Sequence, residues 1–195
     1  MKLLSRGVIG GALLASAIVA NAATFATFAD PTIGQGTPTP LFNLDNTANT
    51  LTGGYTGISL VTAATTYSGV TLTMNAVATS QVVPGFYNLG AGTVVFSNGS
   101  DPDILTINFG SGTLSDNGFG ASDFKGNGVV FSGSAVTQSL ADEAFGFSFA
   151  NPTPTRTGVS YTAAFTSSAT PVPEPAAIAV LGLGMVGMIR RRNRK

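Results

Sequence analysis

Three glycines near the C-terminus have the spacing of a dinucleotide-binding loop. Gly182, Gly184 and Gly187 spell G-x-G-x-x-G, which binds a pyrophosphate when a strand precedes it and a helix follows it. Such a loop also needs an acidic residue about twenty positions further on. No strand pattern precedes Gly182, and no acidic residue follows Glu174 in the sequence. The glycines therefore indicate a short apolar helix rather than a cofactor site.

Few side chains are available for catalysis. The sequence contains no cysteine and no histidine, so it lacks thiol nucleophiles, histidine bases and the usual zinc ligands. Asp142 and Glu143 are adjacent, and neighbours on a strand point to opposite faces, which makes them a poor acid/base pair. Lys125, which a Ser-Lys pair would need, lies in the turn-like stretch DFKGNG. We expect a protein without enzymatic activity.

Acidic side chains are frequent between residues 101 and 123. Asp101, Asp103, Asp116 and Asp123 could supply oxygen ligands to calcium, which takes about six to eight of them. Asp-Pro and Asp-Asn pairs also initiate turns by hydrogen-bonding their own backbone. We favour turn formation, keep calcium as the weaker hypothesis, and expect no other metal or cofactor.

Charged residues make up only 9% of the chain and are unevenly distributed. Both ends of the chain are basic, through Lys2 and Arg6 at the start and the cluster at residues 190–195 at the end. In the segment between these ends, acidic residues outnumber the two basic residues, Lys125 and Arg156. No basic patch is available to bind phosphates, so a nucleic-acid partner is not expected.

Residues 1–22 have the layout of a secretory signal peptide. Lys2 and Arg6 precede an apolar run from residue 8 to residue 20, and Ala20 and Ala22 form the small-x-small site that signal peptidase cleaves. Cleavage after Ala22 would start the mature chain at Ala23, outside the inner membrane. Without cysteine the exported chain has no disulfides, so its stability depends on β packing, ions or association.

Residues 23–170 show the two-residue period of β-strands. The alternating segments are 70–74, 105–109, 145–149 and 159–165, with further strand candidates at 58–62, 93–97 and 129–132. Asn-Gly pairs that begin at Asn98, Asn117 and Asn127 predict turns between strands. The predicted fold is all-β, a single antiparallel β-sandwich or jelly-roll-like domain.

A short membrane helix is predicted at residues 176–189, which are all apolar or glycine. A helix of this length covers about 21 Å of a hydrocarbon core about 30 Å thick, and long arginine side chains can narrow the gap. Arg190, Arg191 and Arg192 begin the basic tail 190–195. By the positive-inside rule this tail stays cytoplasmic and attracts anionic membrane lipid, with the β-domain outside.

The segment 171–195 resembles the PEP-CTERM protein-sorting signal of Gram-negative bacteria. Its three parts follow in order: the tripeptide Pro173-Glu174-Pro175, the apolar helix and the arginine cluster. The resemblance implies that exosortase, an integral-membrane cysteine transpeptidase, recognises Pro173, Glu174 and Pro175. It also implies transit through the inner membrane to the cell surface or the exopolysaccharide matrix. The alternative is a plain C-terminal anchor with a proline-rich stalk.

We therefore expect an exported, non-catalytic surface or extracellular-matrix protein with a structural or adhesive role. The alternative is a lectin-like module that binds carbohydrate, with or without calcium. Sugar sites commonly use exposed aromatic side chains, and the chain has no tryptophan and 4 tyrosines. This composition weakens the alternative without excluding it.

Overall fold

The computed structural model describes residues 22–116 and 122–172, which form ten β-strands joined by turns and loops. Residues 1–21, 117–121 and 173–195 lie outside the described residues, and so do most of the predicted signal peptide and the predicted helix at 176–189. The described ranges contain no helix long and apolar enough to cross a membrane. The strands are β1 (Ala23–Phe28), β2 (Phe42–Asp45), β3 (Thr50–Thr62), β4 (Thr66–Val83), β5 (Phe86–Leu89), β6 (Gly92–Ser97), β7 (Leu105–Ser115), β8 (Ser122–Ser132), β9 (Leu140–Pro154) and β10 (Gly158–Pro171).

All ten strands belong to one antiparallel sheet that closes partly into a ring. The sheet order is β1-β3-β2-β10-β9-β8-β7-β5-β4-β6, and β3 also pairs with β4 to close the circuit. The prediction of an all-β antiparallel domain is confirmed. The opposite walls of the ring pack through a shared core, as the two sheets of a sandwich do.

Four short strands fill two gaps between long strands. β2 and β1 lie one after the other between β3 and β10, while β5 and β6 lie one after the other between β4 and β7. These pairings place the chain ends and several loops at the two rims of the ring. We call the rim with Ala23, residues 63–65, 98–104 and 133–139, and Val172 the exit rim. The rim with residues 46–49, 84–85 and 155–157 is the far rim.

Aromatic rings fill the interior. Phe147 lies at the centre, with its ring centroid 4.8 Å from that of Phe42, 5.0 Å from Phe165 and 5.7 Å from Phe124. All four side chains are buried, and each such burial contributes about 1.5–3 kcal/mol. Phe145, Phe147 and Phe149 all point inward, as their alternation predicted.

The predicted turns have three different outcomes. The Asn98 turn is confirmed, because the Asn98 Oδ1 accepts hydrogen bonds from the backbone N–H groups of Ser100 and Asp101. The turn at Asn127-Gly128 is wrong, since β8 continues through it and pairs with β7 on both sides of the bend. Gly128 accommodates that bend with a positive φ of 61°. The turn at Asn117 lies outside the described residues.

Candidate functional site

The first and last strands leave the ring together at the exit rim. Ala23 of β1 pairs with Ala169 of β10, and Ala22 just before it is exposed. β10 remains hydrogen-bonded to its end, because Pro171 pairs with Leu140 and the Val172 N–H donates to the Ser139 carbonyl at 3.0 Å. The predicted signal-peptide junction and the predicted sorting motif therefore join the domain side by side.

A cavity of about 210 Å³ opens beside this junction. Its wall includes Ala23, Phe25, Ala64, Gln138 and Pro171. Phe25 is half-buried and packs on Phe131 with ring centroids 5.3 Å apart, which forms the floor between the cavity and the core. No side chain that lines the cavity carries a charge, and the predicted cleavage after Ala22 would place the α-amino group of Ala23 in its wall.

Acidic side chains lie around the rest of the exit rim. Asp101 and Asp103 belong to the 98–104 loop, where Asp101 Oδ1 accepts from the Asp103 N–H at 3.0 Å and Asp101 Oδ2 accepts from the Ser134 hydroxyl. Asp103 Oδ1 accepts from the Thr106 hydroxyl at 2.7 Å. These carboxylates organise the loop, as the turn hypothesis expects.

Glu143 covers a gap in the sheet between β8 and β9, near the exit rim. β8 pairs with β9 only from Ser122 to Lys125, so within residues 22–116 and 122–172 no strand pairs with the rest of β8 on that side. Glu143 Oε1 accepts the Phe131 N–H at 3.2 Å, and its neighbour Asp142 has a positive φ of 53°. A carboxylate and a local irregularity together discourage a second strand from adding to this edge.

The four calcium candidates divide between the two rims. Asp101 and Asp103 precede β7, whereas Asp116 follows it and Asp123 lies in the first part of β8. A strand of 11 residues spans about 36 Å, so the two pairs do not meet. Within residues 22–116 and 122–172 no group of three or more Asp, Glu, His or Cys could hold a metal ion. Calcium stays a prediction, with no assembled acidic site to support it.

A groove of about 660 Å³ lies on the outer face beside the far rim. Two rows of side chains cross β4, β5, β7 and β8 there. The first row is Ser80, Asn88, Thr113 and Lys125, and the second is Val83, Phe86, Ser115 and Asp123. Lys125 Nζ lies 2.5 Å from Asp123 Oδ2, which leaves the groove without net charge. The arrangement offers an apolar strip beside hydroxyl, amide and ion-pair groups.

Phe86 gives this groove its exposed aromatic ring. The Pro84-Gly85 turn joins β4 to β5, and Gly85 has the positive φ of 79° that such a turn requires. Phe86 is 44% exposed, and Val82 and Val83 beside it are 60% and 51% exposed. Sequence reasoning missed this site, although the apolar run broken by Pro-Gly is a hairpin signal.

Two buried phenols lie behind the groove near Asp116. Tyr161 is fully buried, and its hydroxyl makes no hydrogen bond of good geometry with another described residue. Burial raises the pKa of Tyr161, and the nearby Asp116 carboxylate raises it further. The same two causes raise the pKa of Tyr87, whose hydroxyl accepts a hydrogen bond from Gln81 at 3.3 Å. Both phenols therefore stay protonated at neutral pH and are unsuited to act as bases.

Comparison with known proteins places the functional information at the C-terminus. Residues 171–195 match the family model of the PEP-CTERM protein-sorting motif, so the chain carries this motif. Pro173, Glu174, Pro175 and Arg190–Arg192 fall within the match, as does the predicted helix, and all lie outside the described residues. No curated protein and no solved structure matches the chain. The motif implies an exported protein that is processed by exosortase and sorted to the cell surface.

Proposed function

We propose that this chain is a non-catalytic surface or extracellular-matrix protein with a structural or adhesive role. Signal peptidase removes residues 1–22, the short helix at 176–189 holds the chain in the membrane with residues 190–195 inside, and exosortase reads Pro173-Glu174-Pro175. The observation that carries this proposal is the motif match over residues 171–195, which begins at the last residue of the final strand of a folded domain.

The composition of the outer face supports a structural or adhesive role. Exposed hydroxyl and amide side chains pair across the strands, such as Thr93 with Asn108 at 2.8 Å and Thr71 with Thr56 at 3.3 Å. Such a surface forms many weak, uncharged hydrogen bonds with hydrated polymers or with another protein surface. The aromatic core stabilises the domain without disulfides, which suits exposure outside the cell.

The proposal predicts that the tripeptide decides the fate of the tail. In the producing bacterium, Glu174→Ala and Pro173→Ala should retain residues 190–195 and remain in the membrane fraction. Pro152→Ala is the matched control, because this proline is exposed in β9 toward the far rim, lies outside the matched segment and should leave processing unchanged. Fractionation and mass spectrometry of the C-terminal peptide measure both properties. If the wild-type protein at the surface keeps its tail, the segment is a plain anchor and the sorting proposal is wrong.

The groove beside the far rim supports a second candidate function, binding of carbohydrate. Phe86 presents a half-exposed ring on which a sugar could stack, and Asn88, Thr113 and Lys125 supply hydrogen-bonding groups beside it. The groove lies toward the rim opposite the membrane-linked chain ends, where an extracellular polysaccharide could reach it.

Glycan binding by the purified full-length protein tests this candidate. Phe86→Ala should abolish binding, whereas Val130→Ala should not, because Val130 is 55% exposed but does not line the groove. Adding a chelator tests the calcium dependence separately. Equal binding by the wild type and Phe86→Ala would exclude the groove as the sugar site.

A further inference from the structure

The folded domain extends to the residue before the sorting tripeptide. Val172 still donates its N–H to the Ser139 carbonyl at 3.0 Å, and the next residue is Pro173. Consecutive Cα atoms are about 3.8 Å apart, so Pro175 lies within about 11 Å of Val172. A peptide-binding cleft large enough to hold the tripeptide therefore meets the exit rim itself.

The surface beside Val172 is small and uncharged. Ala63 and Ala64 lie in the turn between β3 and β4, and Thr137 and Gln138 lie in the loop before β9. All four residues are exposed, and all four line the cavity together with Pro171. We call these four residues the exit patch.

The charges around the exit patch distinguish between a membrane and a protein as its partner. Among the described residues, the side-chain charges at or near this rim are Asp101, Asp103, Asp142 and Glu143, while Lys125 and Arg156 lie toward the far rim. Cleavage after Ala22 adds one positive charge, the α-amino group of Ala23, so the rim stays net acidic. A membrane surface with anionic headgroups attracts cations and repels carboxylates. The exit rim is therefore a poor surface for lipid, whereas its uncharged patch suits contact with a protein.

We propose that the exit patch docks against the outer surface of exosortase while the enzyme acts on the tail. This inference rests on the proposed sorting function and adds a second contact to it, outside the tripeptide. The contact positions the first residues after β10 for cleavage without a flexible linker between the domain and the motif.

A single exposed alanine provides the test. In the proposal, Ala64→Arg and Ala64→Glu both place an unpaired charge in the contact, and both slow tail removal by about tenfold or more in pulse-chase labelling of the full chain. Ala48→Arg is the matched control, because Ala48 is an exposed turn residue at the far rim, and it should be processed at the wild-type rate. A Gly-Ser-Gly-Ser spacer inserted between Val172 and Pro173 should slow processing of the otherwise wild-type chain and abolish its difference from Ala64→Arg, since the spacer uncouples the domain from the motif that the enzyme holds.

Three outcomes are informative. Wild-type rates for both Ala64 variants would overturn the docking proposal. Faster removal with Arg and slower removal with Glu would overturn it too, because opposite signs indicate contact with anionic lipid. Failure of the sorting function itself is distinct, since the wild-type chain would then keep its tail. Thermal unfolding of each variant checks that the domain is intact.

Discussion

Gly158 tests the pairing that places β2 against β10. A Cβ atom at this position would lie 1.9 Å from the Leu44 carbonyl oxygen and 2.9 Å from the Leu44 carbonyl carbon. Both are backbone atoms, so Gly158→Ala must move the two strands apart by more than 1 Å. Overpacking of this kind costs about 1–3 kcal/mol. The nearby hydrogen bond from the Asn46 N–H to the Thr157 carbonyl, 2.8 Å long, is worth about 1 kcal/mol if the movement breaks it.

We therefore expect Gly158→Ala to lower the free energy of unfolding by about 2–4 kcal/mol, a fall in Tm of roughly 5–12 °C for a domain of this size. Gly54→Ala is the matched control in β3. Its new Cβ would be 3.9 Å from the Leu72 carbonyl oxygen, an ordinary contact, so its free energy of unfolding should change by less than about 1 kcal/mol. Thermal and urea unfolding of both full-length variants measure the difference. Equal Tm values for the two variants would refute the close approach of β2 and β10.

Three further predictions concern titration and the open edge. The pKa of Tyr161 is raised in the folded state. Its neutral phenol therefore stabilises the fold below about pH 10, and this contribution to stability is lost as the pH rises above 10. Tyr161→Phe should accordingly lessen the loss of Tm between pH 9 and about pH 11. The pKa of Asp45 is lowered by hydrogen bonds from the Ala48 N–H, the Thr157 hydroxyl and the Thr47 N–H. Its contribution to stability is present above the ordinary aspartate pKa of 3.8 and is lost as pH falls through the lowered pKa, so Asp45→Asn should flatten the acid limb of a Tm profile. Glu143→Ala removes the acceptor for the Phe131 N–H and should promote association in light scattering, whereas Glu143→Gln, which keeps an acceptor, should associate less.

The sequence predicts the strands well because alternation reports burial directly. Phe145, Phe147 and Phe149 alternate along β9, so all three side chains lie on the same face of the strand, and that face is buried inside the sheet. The alternating pattern does not distinguish two packed sheets from one closed sheet, because the inward-facing side chains are buried in both. Long-range pairs such as Ala23 with Ala169 decide that question, and no local pattern encodes them.

The local signals that failed were overridden by tertiary pairing. Asn127-Gly128 has turn chemistry, but Asn127 pairs with Ser111 and Val129 pairs with Phe109, so the chain bends within a strand instead of reversing. The groove residues were missed for a related reason. Phe86 and Lys125 are far apart in sequence, and only the order of β5, β7 and β8 brings them to one face.

The sorting motif can be recognised from the sequence because it is a short linear segment that an enzyme binds. The exit patch cannot be predicted in this way. Ala64 and Gln138 come from separate connections between strands, and only the closure of the sheet brings them together beside Pro171. The sequence therefore indicates how the chain is handled, and the structure adds which surface accompanies the motif.

The intact mass of the wild-type protein recovered from the cell surface tests the sorting proposal most directly. We expect a chain that begins at Ala23 and lacks the basic residues from Arg190 to Lys195. A surface-exposed chain whose mass still includes Lys195 would contradict it.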